Sequence, residues 1–199
     1  MLKIGITGGM GSGKTTVAKI FSLLGVSIYN ADNSSKFLLQ NNAEVVAKVK
    51  AVFGRDAYQK DGAPNRPYLA SQVFNNKEKL KSLEAILHPT VQLDFYNWVA
   101  QIDPSTPFIL KEAALLFEAN TYKDLDKIIL IIAPLEKRIS RIMKRDNVSR
   151  EEVMARINNQ WSDEEKANLS HFIIHDDEED LLTKKVLKLY QEITLLSHE

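Results

Sequence analysis

Residues Gly8-Gly9-Met10-Gly11-Ser12-Gly13-Lys14-Thr15 read G-x-x-x-x-G-K-[ST], a spacing whose chemistry is the cradling of a nucleoside triphosphate tail. Glycines let successive backbone N–H groups curl around a phosphate without Cβ clashes, and the start of a following helix adds partial positive charge at the same point. Lys14 is expected to reach the β- and γ-phosphates and the Thr15 hydroxyl to ligate Mg²⁺. ATP and Mg²⁺ are therefore the expected ligands, held by Gly9, Gly11, Ser12, Gly13, Lys14, Thr15 and Thr16. Five of the chain's eight glycines lie between residues 5 and 13, so this flexibility is concentrated where the loop needs it.

The loop requires a strand before it and a helix after it. Short β-branched runs are expected as strands at Leu2–Thr7, Val26–Asn30, Phe108–Glu112, Lys127–Ile132 and Phe172–His175, mostly without polar alternation, as strands buried on both faces should be. Val17, Ile20, Phe21 and Leu24 recur at helical spacing and end at Gly25, a left-handed cap. Strands alternating with helical patterns predict a parallel sheet wrapped by helices. Two stretches interrupt the alternation. In the first, Val45, Val46, Val49, Val52 and Phe53 stop at Gly54, and Leu80, Leu83, Ile86 and Leu87 stop at His88-Pro89. In the second, Leu135, Ile139, Ile142 and Met143 form an apolar stripe while Arg138, Arg141 and Arg145 share another face. Ser149 with Glu152 and Ser162 with Glu165 are spaced as capping boxes. Leu182, Val186, Leu189, Tyr190 and Ile193 predict a final amphipathic helix.

The chain has 199 residues, with 26 Lys+Arg against 26 Asp+Glu, so no global field exists to hold nucleic acid or an acidic membrane, and any bound anion must be gripped locally. Charge is nonetheless segregated: residues 134–160 carry seven basic and four acidic side chains, residues 161–180 one and eight. The acidic stretch Asp176 to Asp180 reads as a solvated helix start. Without cysteine there is neither disulfide nor thiolate metal site. The start lacks a secretory pattern and the longest apolar run, Ile128 to Ala133, is too short to span a bilayer, so a soluble, cytoplasmic chain is expected. Nothing in the sequence fixes an oligomeric state.

A loop of this kind binds a nucleotide but does not say where the phosphoryl group goes. A GTPase switch needs N-K-x-D and D-x-x-G, and neither tetrapeptide occurs. A motor or transporter ATPase needs an apolar run ending in acid; Phe108 to Glu112 is the nearest candidate and equally fits a plain core strand. Two helical interruptions suit a small kinase, which must cover acceptor and phosphates to exclude water. The expected fold is α/β: a three-layer P-loop kinase fold with a five-stranded parallel sheet and helices on both faces. It reads as one domain, with core 1–33, 105–134 and 170–199, a helical acceptor-binding excursion 34–104 and a lid 135–169. Arg141 and Arg145 would face the charge that spreads over the moving phosphoryl group. Asp32, at the carboxyl end of the second strand, can orient an acceptor hydroxyl and take its proton, or cap a helix starting near Ser34.

Nearly end to end, the sequence resembles the dephospho-CoA kinase family. The resemblance rests on Ile4–Ala18, Gly25 through Asp32, Asp61-Gly62 with Arg66, Leu69, Val73 and Phe74, Leu83-Glu84 with His88-Pro89, Leu115-Leu116-Phe117-Glu118, Arg141 with Arg145, and Arg156 with Gln160. It implies phosphorylation of the ribose 3′-hydroxyl of dephospho-CoA by MgATP, giving coenzyme A in the last step of its biosynthesis. It also implies that Asp32 is the catalytic aspartate and Gly11 to Thr16 the ATP loop. Arg141 or Arg145 would stabilise the phosphate, and Arg66, His88 and the segment Leu115 to Glu118 would lie around the acceptor. The chain departs from the family pattern at Asn30, Lys36, Ala114, Arg138, Ser170-His171 and His175. These departures leave room for a kinase of another nucleoside or nucleotide, or for an ATP-binding regulatory protein without chemistry.

Overall fold

A computed structural model describes residues 1–74, 76–177 and 181–197. In chain order they form β1 (Leu2–Gly8), α1 (Lys14–Leu23), β2 (Ile28–Asn30), α2 (Ala31–Asn41) and α3 (Ala43–Phe53), followed by α4 (Arg66–Val73) and α5 (Lys77–Val99). Then come β3 (Phe108–Glu112), β4 (Lys127–Ile132), α6 (Leu135–Asp146), α7 (Arg150–Ile157), α8 (Asp163–Ala167), β5 (Phe172–His175) and α9 (Leu182–Leu196). Of the acidic stretch, Glu178, Glu179 and Asp180 lie outside the described residues. No helix among the described residues is long and apolar enough to cross a membrane.

The chain divides into two compact units, Met1–Asn30 with Asp103–Glu199, and Ala31–Ile102. In the first, all five strands are parallel in the order β2-β3-β1-β4-β5. Strand order reverses around the central β1, and open α/β sheets bind ligands at the carboxyl ends of strands at such a point. Ile4, Ile6, Ile129, Ile131 and Ile174 pack with Val17 and Phe21 of α1 and with Val186, Leu189 and Ile193 of α9. Gly5 faces the other way, where Leu116 and Leu125 close over the sheet. Helix α1 ends as expected: the Gly25 N–H donates to the Ser22 carbonyl and the Val26 N–H to that of Phe21, a Schellman pair that the left-handed Gly25 (φ 88°) makes possible. Strand β2 is shorter than Val26–Asn30, because Val26 is drawn into that cap and the core. Both expected capping boxes form, at the starts of α7 and α8.

The second unit is helical, with Val45, Val49, Phe53, Ala57, Tyr58 and Leu69 at its centre. One expectation fails here. The helix does not stop at His88-Pro89 but runs through Pro89 to Val99. Pro89 removes one N–H donor, a penalty of about 3 kcal/mol in a helix interior. Packing holds the helix on both sides of it: Leu83, Ile86 and Leu87 lie against the central cluster, and Phe95 is buried with its ring near those of Tyr96 and Trp98. The helix starting near Ser34 also begins earlier, at Ala31, directly after β2. Asp32 therefore sits exposed in the first turn of α2, two residues beyond Asn30.

Candidate active site

The loop from Gly8 to Gly13 links the end of β1 to the first turn of α1. Gly13 caps α1 in the left-handed region (φ 95°), and Gly11 (φ 78°) passes so close to α6 that a Cβ would lie 2.7 Å from the Arg138 carbonyl oxygen. Only glycine meets both demands. Lys14 is buried and folds back over the loop, its Nζ donating to the carbonyls of Gly8 at 2.9 Å and Gly9 at 3.2 Å.

Beside the loop lies a cavity of about 240 Å³ lined by Gly11, Gly13, Lys14, Thr15, Thr16, Arg141, Ile142 and Arg145. The fold thus gathers most of the expected nucleotide residues and both arginines. Gly9 and Ser12 are buried and do not line it. The three arginines of α6, expected on one face, have three different surroundings. Arg138 is buried and bonds the Met10 carbonyl and Asp163. Arg141 reaches the Gly11 carbonyl at 3.3 Å and Asp176 at 2.7 Å. Arg145 makes two hydrogen bonds to the neighbouring Asp146. Burial alone would raise the Asp176 carboxyl, but Arg141 and Lys137 outweigh it and hold it below the usual carboxylate range. The Arg145 hydrogen bonds, with Arg156 adding, lower Asp146 in the same sense.

One more residue of this site ends the run Phe108 to Glu112, which the sequence leaves open between a nucleotide-site acid and a plain core strand. Glu112, at the carboxyl end of β3, accepts the Thr15 hydroxyl at 2.6 Å on Oε1 and the Asn30 amide at 2.8 Å on Oε2. Register sets it level with Ile6 of β1 and Asn30 of β2. Its signal was an apolar run ending in acid, which a core strand also produces. Two hard oxygens, the Thr15 hydroxyl and a buried carboxylate, fit a Mg²⁺ ion that keeps several waters and takes phosphate oxygens for the rest. One family departure finds its purpose here, since an amide at position 30 can donate to Glu112 where a carboxylate could not. Another is structural: His171 Nδ1 accepts the Ile128 N–H at 3.2 Å, at the start of the β4–β5 ladder.

The remaining expected residues are not in the cavity. Asp32, Arg66 and His88 belong to the second unit, Arg66 exposed at the start of α4 and His88 half-buried within α5. Leu115 and Glu118 follow β3 in the first; Leu115 is exposed, whereas Glu118 pairs with Lys166 at 3.0 Å and accepts the Trp161 N–H at 3.0 Å.

The family model described as dephospho-CoA kinase matches residues 2–181. The chain belongs to the dephospho-CoA kinase family. It is 37% identical to a dephospho-CoA kinase of Salinibacter ruber, with 98% of each chain covered. To a dephospho-CoA kinase of Bacteroides fragilis it is 35% identical over 98% of this chain and 96% of the relative. Among solved structures, a dephospho-CoA kinase from Campylobacter jejuni superposes with a TM-score of 0.72 at 31% identity, covering 96% of each chain. The family thus accounts for both the parallel sheet and the loop that follows its central strand.

Proposed function

We propose that this chain carries out the reaction of its family, transferring the γ-phosphoryl group of MgATP to the ribose 3′-hydroxyl of dephospho-CoA to give coenzyme A and ADP. The family match over residues 2–181 carries this reading, and the cavity at the loop supports the donor half of it. The loop N–H groups and Lys14 bind the phosphates, with Lys14 exchanging the carbonyls of Gly8 and Gly9 for phosphate oxygens. Thr15 and Glu112 would hold Mg²⁺, which when bound would supply charge to offset that of the phosphates. Asp32 orients the 3′-hydroxyl and accepts its proton as the new O–P bond forms and the bond to ADP breaks. Arg141 or Arg145 stabilises charge on the equatorial oxygens, and Arg141, already at the loop, is the one the contacts favour. Segment 135–169 acts as the lid that excludes water, and Arg66, His88 and Leu115 contact the acceptor. Glu118, grouped with them by resemblance, is engaged instead by Lys166 and Trp161.

The test supplies MgATP with dephospho-CoA, adenosine and other nucleosides, and locates the new phosphate by phosphorus NMR. Phosphate on the dephospho-CoA ribose 3′-oxygen is expected. Transfer to another acceptor alone, or ATP binding with no transfer, overturns the reading. Lys14→Ala and Asp32→Asn should each lower turnover by about a thousandfold. Asp32→Asn should leave ATP affinity by calorimetry within about twofold, because its role is on the acceptor hydroxyl. Full turnover in either variant removes the role assigned to it.

A further inference from the structure

The far end of the loop from Thr15 is held by a different set of groups. The Met10 N–H donates to Gln160 Oε1 at 2.8 Å, and its carbonyl accepts from Arg138 Nε at 3.0 Å. Both polar groups of one loop residue are therefore taken by side chains more than a hundred positions along the chain. Arg138 is fixed in turn by Asp163 at 3.0 Å, and its guanidinium occupies the space a Cβ on Gly9 would need. The Met10 side chain packs against the cluster of Ile139, Ile142 and Val153. Gln160 and Asp163 flank Trp161, whose N–H donates to Glu118 and whose ring stacks on Phe117 at 6.1 Å and 8°. Beneath it, Lys166, fully buried, pairs with the same Glu118 oxygen at 3.0 Å. Lys166 Nζ and Glu118 Oε2 have no hydrogen-bond partner among the described residues, so the attraction between the two charges at 3.0 Å is what offsets the burial of the ammonium and holds the carboxylate beside Trp161.

We infer that Glu118 is a positioning residue for the phosphate loop, acting through Trp161 and Gln160 on the Met10 peptide, and not a contact of the acceptor. Lys166 fixes the carboxylate, the carboxylate fixes the 160–163 turn, and the turn presents Gln160 and anchors Arg138 to the two sides of Met10. The loop then meets ATP with its N–H groups already curled, so the ordering entropy is not charged to binding. This goes beyond the reaction proposed above and rests on it only for the identity of the acceptor.

The test uses the full chain and measures ATP binding by calorimetry without acceptor, together with KM for ATP and for dephospho-CoA. Removing Glu118 alone would strand the Lys166 ammonium, so the informative variants are Gln160→Ala, Glu118→Ala with Lys166→Met, and all three together. Gln160→Ala and the Glu118→Ala/Lys166→Met pair should each weaken ATP binding by about tenfold, the scale of a lost hydrogen bond to a preorganised group. The triple variant should be no worse than the worse of these, because the residues act in series. Glu118→Gln with Lys166→Met keeps an oxygen for the Trp161 N–H and should restore ATP binding to within about threefold of the parent. KM for dephospho-CoA should stay within about twofold throughout, as expected of groups that touch only the donor side. A rise in KM for dephospho-CoA with ATP binding unmoved returns Glu118 to the acceptor. Multiplying effects in the triple variant, or no rescue by glutamine, breaks the proposed chain of contacts. The calorimetric arm stands even if dephospho-CoA is not the acceptor, so failure of the inference and failure of the proposed reaction are distinguishable.

Discussion

The two ends of the phosphate loop are secured by unlike means. At the Thr15 end, one carboxylate from the sheet, Glu112, takes a side-chain hydroxyl, and its other oxygen is occupied by an amide on the neighbouring strand. At the Met10 end, the backbone itself is bound, by an arginine of helix α6 and a glutamine in the turn that follows α7. Hard oxygen atoms set by the end of β3 and the first turn of α1 suit Mg²⁺, which tolerates little error in donor position. Side-chain bonds to a peptide carry no chemistry of their own; they set the curvature on which phosphate recognition depends. On the proposed reaction, the difference divides one loop between metal placement and anion shape, with a separate part of the fold responsible for each.

The largest effect should come from the metal end. Glu112→Gln keeps the size but loses the charge and one of the two accepting oxygens, and should lower kcat at limiting Mg²⁺ by about a hundredfold, with partial recovery as Mg²⁺ is raised. A Mg²⁺ titration of the steady-state rate checks this; equal loss at all Mg²⁺ concentrations would break the division of labour. A smaller effect separates the two exposed arginines beside the loop. Arg141 Nη1 already touches the loop carbonyl of Gly11 as well as Asp176, whereas Nε and Nη2 of Arg145 are taken by Asp146, away from the loop carbonyls. Arg141→Ala should lower kcat by about a hundredfold at most and Arg145→Ala by less than about fivefold; the reverse order in parallel kinetic runs would mean that Arg145 leaves Asp146 when nucleotide binds.

The smallest effect tests whether the two faces of β3 are independent. Lys111 precedes Glu112 and points to the other face, where burial pushes its ammonium down to about 8, against a partial lift from Asp124. The unfolded chain holds that proton up to 10.5. Between about pH 8 and 10.5 it therefore binds more protons than the folded chain, and this group makes stability rise with pH across that window. Lys111→Met should raise Tm at pH 7 by about 4 °C, an advantage that shrinks as pH climbs from 8 to 10.5, with ATP affinity unchanged. Thermal melts across that range, paired with calorimetry, check both halves; a change in ATP affinity would show that the faces are coupled.

Much of the molecule was legible because its signals are local. The G-x-x-x-x-G-K-T spacing, the Gly25 cap and both Ser/Glu capping boxes involve residues within eight positions of one another, and each formed where expected. Three strands match to the residue, since buried parallel strands are continuous apolar runs bounded by turns. The misreadings arise where distant packing decides. Pro89 is a stop signal in isolation, and α5 overrides it with contacts on both sides. Arg138, Arg141 and Arg145 share a helical face, yet only the fold reveals that the first is buried against Met10 and Asp163. Glu112 looks like the last residue of a core strand until Asn30 and Thr15 are placed beside it. Gln160 enters the sequence reading only with Arg156, through the resemblance, and nothing local gives its role, because its partner lies 150 positions away.

The central claim, that the loop's two ends serve metal and shape separately, is tested most directly by calorimetric ATP affinity with and without Mg²⁺ in Glu112→Gln and Gln160→Ala. The account predicts that Glu112→Gln loses the part of the affinity that Mg²⁺ adds while its metal-free affinity stays at the parent value. Gln160→Ala should weaken both affinities by the same factor. Identical behaviour of the two variants would contradict it.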